Sequence, residues 1–240
     1  MRDQLILLPG WAYGPAALQP LCEALKELDP DLDVVIEPLP ELADPEAWLD
    51  ELDRRLPDDS WLAGWSLGGM LAAQLAARRL DSCRGLVTVA SNPCFRARPQ
   101  WPEAMAAEIF DAFQEAFRLD PEETLKRFRL LCSRGGYDPR TLARQLEVSQ
   151  SDSTPAVLEA GLRLLAELDG RGALHGYFGP QLHLFAGGDA LVPSTACDAL
   201  RRWMPGVEAE LIASTSHALP LERPDDVAAT IAAFIKSKAE

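Results

Sequence analysis

Ser66 lies between two glycines in Gly64-Trp65-Ser66-Leu67-Gly68. In this Gly-x-Ser-x-Gly pattern a sharp strand-to-helix turn presents a strained serine, and small neighbours leave room for it. A serine hydroxyl attacks poorly at neutral pH. It needs a histidine to take its proton, and the histidine needs a carboxylate to fix its tautomer and stabilise the imidazolium. The chain has three histidines. His175 sits among glycines and reads as a surface loop residue, while His183 alternates with Leu182 and Leu184 and reads as a sheet-face or core residue. His217 lies between the last apolar run and the C-terminal helical pattern, so position selects it as the base. Asp189 follows Gly187-Gly188 at the end of another apolar run and is the expected acid, ahead of Asp198, which falls within a helical pattern. Acyl transfer also requires two N–H donors for the tetrahedral oxyanion. Chain order assigns them to Leu67, next to the nucleophile, and Trp11, in the first strand–helix loop. This chemistry requires no metal and no organic cofactor.

These groups must be positioned by regular elements. The apolar run Leu5-Ile6-Leu7-Leu8 stops at Pro9-Gly10, and a helical pattern follows over 15–28. Strand patterns recur at 33–37, 61–64, 84–90, 181–186 and 207–212, alternating with helical patterns at 45–56, 67–80, 194–203 and 224–238. Such alternation predicts a mostly parallel sheet of about six strands covered by helices on both faces, and with the serine turn it predicts an α/β-hydrolase fold. Between 92 and 179 only helical patterns appear, near 103–118, 121–132, 139–147 and 155–168. The expected organisation is a catalytic core of 1–91 and 180–240 with a helical lid, 92–179, inserted in it. The short apolar run after Met1-Arg2-Asp3-Gln4 leaves little room for an additional N-terminal hairpin and is too short for a signal peptide.

A formal net charge of -14 argues against nucleic acid or an anionic membrane as partner. No run of eighteen apolar residues occurs, so the expectation is a soluble, cytoplasmic monomer. The five cysteines are odd in number, scattered and without a Cys-x-x-Cys pair, which reads as reduced structural thiols. Against the acidic background, 124–146 holds six basic residues and one acidic residue. A solvated helix face explains such a run, and so does a patch that steers an acidic protein toward the pocket mouth.

Several segments beyond the serine turn resemble one family: the α/β-hydrolase esterases of biotin synthesis that demethylate pimeloyl-acyl-carrier-protein methyl ester. They are Gly64-Trp65-Ser66-Leu67-Gly68-Gly69, Leu86-Val87-Thr88-Val89-Ala90, Ser91-Asn92-Pro93-Cys94-Phe95 with Trp101-Pro102, and Leu191-Val192-Pro193 after Asp189. The resemblance implies hydrolysis of a pimeloyl methyl ester carried on acyl-carrier protein. It implies substrate contacts from Trp11, Ser66, Leu67 and His217 and from the lid segment Phe128, Arg129, Leu130, Leu131 and Cys132. It places Arg127, Arg140 and Arg144 against the acidic carrier. Of the lid aromatics Phe110, Phe113, Phe117 and Phe128, only Phe128 is expected to touch substrate. Two positions depart from the family pattern: Pro9 replaces the histidine that commonly precedes Gly10, and Glu123 replaces a basic lid residue. The competing functions are a broad carboxylesterase acting on free short-chain esters, and a silent ligand-binding module in which Ser66 is never acylated.

Overall fold

The computed structural model describes residues 3–239; Met1, Arg2 and Glu240, included in the expected core segments, lie outside the described residues. Six strands, β1 (Gln4–Leu8), β2 (Asp33–Ile36), β3 (Ser60–Trp65), β4 (Cys83–Val89), β5 (Gln181–Ala186) and β6 (Glu208–Ile212), form one sheet in the order β2-β1-β3-β4-β5-β6. Every neighbouring pair is parallel, with Leu8 opposite Gly64 and Thr88 opposite His183. The unbroken apolar runs follow from this arrangement: β3 and β5 are buried at every residue, because helices cover both faces of a parallel sheet. Helix α1 (Gln19–Leu28) packs on the C-terminal helix, and α2 (Ala47–Arg55) lies beside α3 (Leu67–Arg79), which packs on β3 and β4.

Between β4 and β5 run five helices: α4 (Ala107–Leu119), α5 (Pro121–Ser133), α6 (Pro139–Val148), α7 (Pro155–Glu167) and α8 (Arg171–Gly176). Pro and a capping side chain start three of them. Asp120, Asp138 and Thr154 each accept the N–H three residues on, and a proline follows each in the first turn, where its missing N–H has no helical partner to lose. The chain closes with α9 (Thr195–Trp203), α10 (Leu219–Glu222) and α11 (Pro224–Ala239).

The structure differs from the sequence patterns in small ways. The first helical pattern opens as a 3-10 turn, Pro15–Leu18, because Pro20 fits only the first turn of the α-helix that follows. Helices α8 and α10 are too short to show a 3.6-residue period, and the exposed His175 sits on α8, its ring 6.0 Å from that of Trp203, rather than in a loop. His183 is buried and its Nδ1 hydrogen-bonds with Thr88 Oγ1 at 2.8 Å across the β4–β5 pair. Burial pushes its pKa down to about 4, so the ring is neutral at physiological pH. No helix among the described residues is long and apolar enough to cross a membrane.

Candidate active site

From β1 the chain steps to β2 on one side and then to β3 on the other. That reversal opens a crevice at the carboxyl ends of β1 and β3, the place where open parallel sheets bind ligands. Trp11 follows β1, Ser66 follows β3, Asp189 follows β5 and His217 follows β6, so all four sit on the same edge of the sheet.

Ser66 adopts φ 54° and ψ -117°, a conformation that costs an L-residue about 1–3 kcal/mol unless its surroundings impose it. Here they do. The Ser66 N–H donates to Val89 O at 3.0 Å, and its carbonyl accepts from Gly69 N–H, Met70 N–H and the Ser91 hydroxyl at 3.0, 3.2 and 2.8 Å. The turn is crowded from below as well: a side-chain carbon on Gly68 would lie 2.3 Å from Leu8 O. Glycine there lets the first turn of α3 rest on the end of β1, with the positive end of the helix directed at the serine.

His217 Nδ1 lies 2.8 Å from Asp189 Oδ2, and His217 Nε2 lies 2.9 Å from Ser66 Oγ. The carboxylate accepts only, so Nδ1 carries the proton and Nε2 is left to accept from the serine hydroxyl. The other oxygen, Asp189 Oδ1, accepts from Leu191 N–H and Val192 N–H at 2.7 and 2.9 Å, which fixes the plane of the carboxylate. The side chains of His217 and Asp189 are both 0% exposed and Ser66 is 4% exposed, so the array is closed to solvent in this conformation. Such an array can transfer the serine proton to the imidazole and stabilise the imidazolium that forms. Among the described residues, no backbone carbonyl outside the regular elements accepts the N–H of Trp11, and the N–H of Leu67, at the first position of α3, has no partner within its own helix. The Trp11 indole turns away: Nε1 donates to Leu158 O on α7 at 2.8 Å, and its ring meets Phe113, Phe117 and Phe128 edge-on.

The lid segment 128–132 does not act as one surface, because consecutive helical residues point in different directions while i and i+4 share a face. Phe128 and Cys132 are buried, and Phe128 stacks on Tyr13 of the first strand–helix loop. Arg129 turns to α6, where it pairs with Glu147 at 3.2 Å, and Leu131 packs at the margin of the core. Leu130, expected at the acyl chain, is 61% exposed on the outer face of α5, and the structure places it away from the buried site. A cavity of about 290 Å³ opens beside the Trp11 loop, walled by Trp11, Tyr13, Leu39, Trp48 and Leu158, with Glu41 among its lining; Ser66 is not part of that wall.

The basic run is weaker in space than in sequence. Lys126 pairs with Glu122, Arg127 with Glu123 and Arg129 with Glu147. All three carboxylates lie just outside 124–146, so a count over 122–147 sets six basic residues against four acidic ones. Glu123, the family departure, is thus the residue that neutralises Arg127. Among the described residues no carboxylate comes within 4.0 Å of Arg134, Arg140 or Arg144, so the positive charge least closely paired gathers there, on the α5–α6 turn and α6, with Asp138 near enough to Arg144 to feel its charge.

Sequence reasoning missed the groups that hold the array. Ser91 binds the serine carbonyl, the Trp65 indole donates to His217 O at 2.7 Å, and Glu222 binds the residue before His217. The position of Ser91 just past β4, on the same sheet edge, was the one available signal.

A parallel sheet whose switch point carries a serine with positive φ, hydrogen-bonded to a histidine that meets an aspartate in turn, is the architecture of an alpha/beta hydrolase. The chain belongs to the Alpha/beta hydrolase family, which it matches over residues 5–230. It is 36% identical to the pimeloyl-[acyl-carrier protein] methyl ester esterase of Aromatoleum aromaticum, over 96% of this chain and 97% of that one. It is 35% identical to the biotin biosynthesis bifunctional protein BioHC of Cellvibrio japonicus, over 99% of this chain and 48% of the relative, so it spans about half the length of that bifunctional protein. The solved bromoperoxidase from Bacillus anthracis, 17% identical, shares the fold with a TM-score of 0.84 over 98% of this chain and 92% of that one.

Proposed function

We propose that this protein is a serine carboxylesterase that hydrolyses the methyl ester of a pimeloyl chain carried on acyl-carrier protein, releasing methanol and pimeloyl-carrier in biotin synthesis. The observation that carries this reading is the Ser66–His217–Asp189 hydrogen-bonded array, in a chain homologous along its length to an esterase of that name. Ser66 Oγ attacks the ester carbonyl as His217 Nε2 takes its proton, and the Leu67 and Trp11 N–H groups receive the oxyanion. His217 returns the proton to the departing methanol. Water, deprotonated by His217 in turn, then cleaves the acyl-enzyme.

In this reading residues 92–179 form the lid over a core of 1–91 and 180–240. The acyl chain lies against Phe128 and Cys132, and Arg140 and Arg144, with a smaller share from Arg127, meet the acidic carrier. The five cysteines are all free and buried, which suits a reducing compartment such as the cytoplasm. The ion pairs that neutralise half of the basic run favour a second reading, a broad esterase for free short-chain esters. Comparing kcat/KM for carrier-linked and free pimeloyl methyl ester separates the two. The carrier-linked ester is expected to win by at least tenfold, with Ser66→Ala as the blank. Equal values would remove the carrier from the reading, and activity that survives Ser66→Ala would remove the serine mechanism.

A further inference from the structure

The segment that carries the base is held at each residue from outside. Thr215 O accepts from Gly188 N–H at 2.7 Å, His217 O from the Trp65 indole at 2.7 Å, and Ala218 N–H donates to Cys132 O of α5 at 3.1 Å. Ser216 is held by Glu222: Oε2 accepts both its N–H and its hydroxyl, each at 2.7 Å. The second oxygen, Glu222 Oε1, accepts the N–H of Tyr137 at 2.8 Å, in the turn between α5 and α6. Among the described residues Glu222 pairs with no cation within 4.0 Å, so its carboxylate is met by neutral donors from two segments 79 or more residues apart in the chain. The same turn lies close to the acid as well, since Gly135 rests its backbone on Gly188, the residue before Asp189.

We propose that Glu222 is a positioning residue for the catalytic base: its carboxylate ties the His217 segment to the α5–α6 turn and so sets where Nε2 stands. The proposal rests on the serine esterase reading above. The segment needs such a tie. It begins at Ser214 with φ 56°, a strained start, and ends in α10, which is a single turn. His217 must keep Nε2 within hydrogen-bonding distance of Ser66 and later turn the same proton toward a leaving alcohol, and a 1 Å displacement of a catalytic group costs about 10²-fold in rate. A carboxylate suits the place because both of its oxygens accept. An amide at the same position has one acceptor only and would set its NH₂ against either the Ser216 or the Tyr137 N–H.

The test uses the full chain and a small chromogenic ester, with kcat expressed per active site titrated by a serine-reactive phosphonate. That normalisation removes the effect of any unfolded fraction. Glu222→Gln is expected to lower kcat per site by about 10- to 100-fold with KM within about twofold. Tyr137→Pro deletes the N–H at the lid end of the bridge and leaves the carboxylate in place; it is expected to lower kcat per site by about three- to tenfold, again with KM within about twofold. A purely structural role for Glu222 predicts fewer titratable sites with unchanged kcat per site. That result in either variant overturns the proposal, as does a loss confined to KM. Turnover that persists in Ser66→Ala overturns the esterase reading instead, whatever the Glu222 variants show.

Discussion

Replacing Gly68 by alanine should pull the two proposed oxyanion donors apart without removing any side chain of the Ser66–His217–Asp189 array. The new methyl carbon would stand 2.3 Å from Leu8 O and 2.5 Å from Pro9 O, where ordinary contact begins at 3.4 Å. Both obstacles are backbone atoms, one of them at the end of a strand paired on both sides, so neither swings away as a flexible side chain does. The first turn of α3 must therefore lift off β1 by about 1 Å to restore contact distance. Leu67 N–H moves with that turn, whereas Trp11 N–H stays with the loop after β1, so the two donors no longer converge on one oxygen. Losing one such donor costs about 10²- to 10³-fold in kcat. Overpacking a tight site costs about 1–3 kcal/mol in stability, or roughly 3–10 °C in Tm for a domain of this size. Purified Gly68→Ala, assayed for kcat per phosphonate-titrated site and melted by circular dichroism, should show both losses. A variant within threefold of the wild-type kcat and within 2 °C of its Tm would refute the steric reasoning.

Three further outcomes follow from the site. In Asp189→Asn the amide oxygen is drawn to the Leu191 and Val192 N–H groups, which leaves NH₂ facing His217 Nδ1; the ring takes the other tautomer, Nε2–H meets the serine, and kcat should fall about 10⁴-fold, while a fall under tenfold would exclude Asp189 as the orienting acid. Arg140→Glu or Arg144→Glu should lower kcat/KM for a carrier-linked ester more than Arg127→Glu does, because Glu123 already offsets Arg127, and the difference should fade as salt is raised; equal effects of all three would contradict the ion pairing. His183, a base with its folded-state pKa lowered from 6.5 to about 4 by burial, is protonated first in the unfolded chain, so its contribution is present at neutral pH and lost as pH falls from 6.5 toward 4. Urea titrations should show wild type losing about 2 kcal/mol more than His183→Gln between pH 7 and pH 5, and parallel curves would show the ring to be accessible.

The backbone of this site was legible because each chemical group stands at the end of an apolar strand marked by glycine or proline. Ser66, Asp189 and His217 are separated by 123 and 28 positions in the chain, yet strand order alone placed them on one edge, where His217 lies 2.9 Å from Ser66 and 2.8 Å from Asp189. The helices between β4 and β5 were legible from their prolines and caps. What the sequence could not show was direction around a helix axis and pairing across space. Leu130 and Phe128 sit two positions apart and face solvent and core respectively. The basic stretch 124–146 is flanked immediately by Glu123 and Glu147, whose pairing with Arg127 and Arg129 depends on side-chain geometry. Glu222 reads in sequence as an acidic residue before Arg223-Pro224, and nothing local signals that its partners include the backbone of Tyr137.

The five free cysteines are all buried, and they are spread over α1, β4, the segment after β4, α5 and α9. A thiol reagent in solution therefore meets none of them until the element that hides each one opens, and the labelling rate of each sulfur becomes a clock for one part of the molecule. Burial also holds the Cys94 thiol up at about 12 and raises that of Cys132, so only a lasting opening exposes a reactive thiolate at either position. Cys132 lies on the buried side of α5, its carbonyl bonded to the residue after His217, while Cys22 lies on α1 against β2. Comparing how fast those two sulfurs are modified, with and without an acyl ligand, would measure how often the helices over the serine part company with the sheet, using only atoms the native chain already carries.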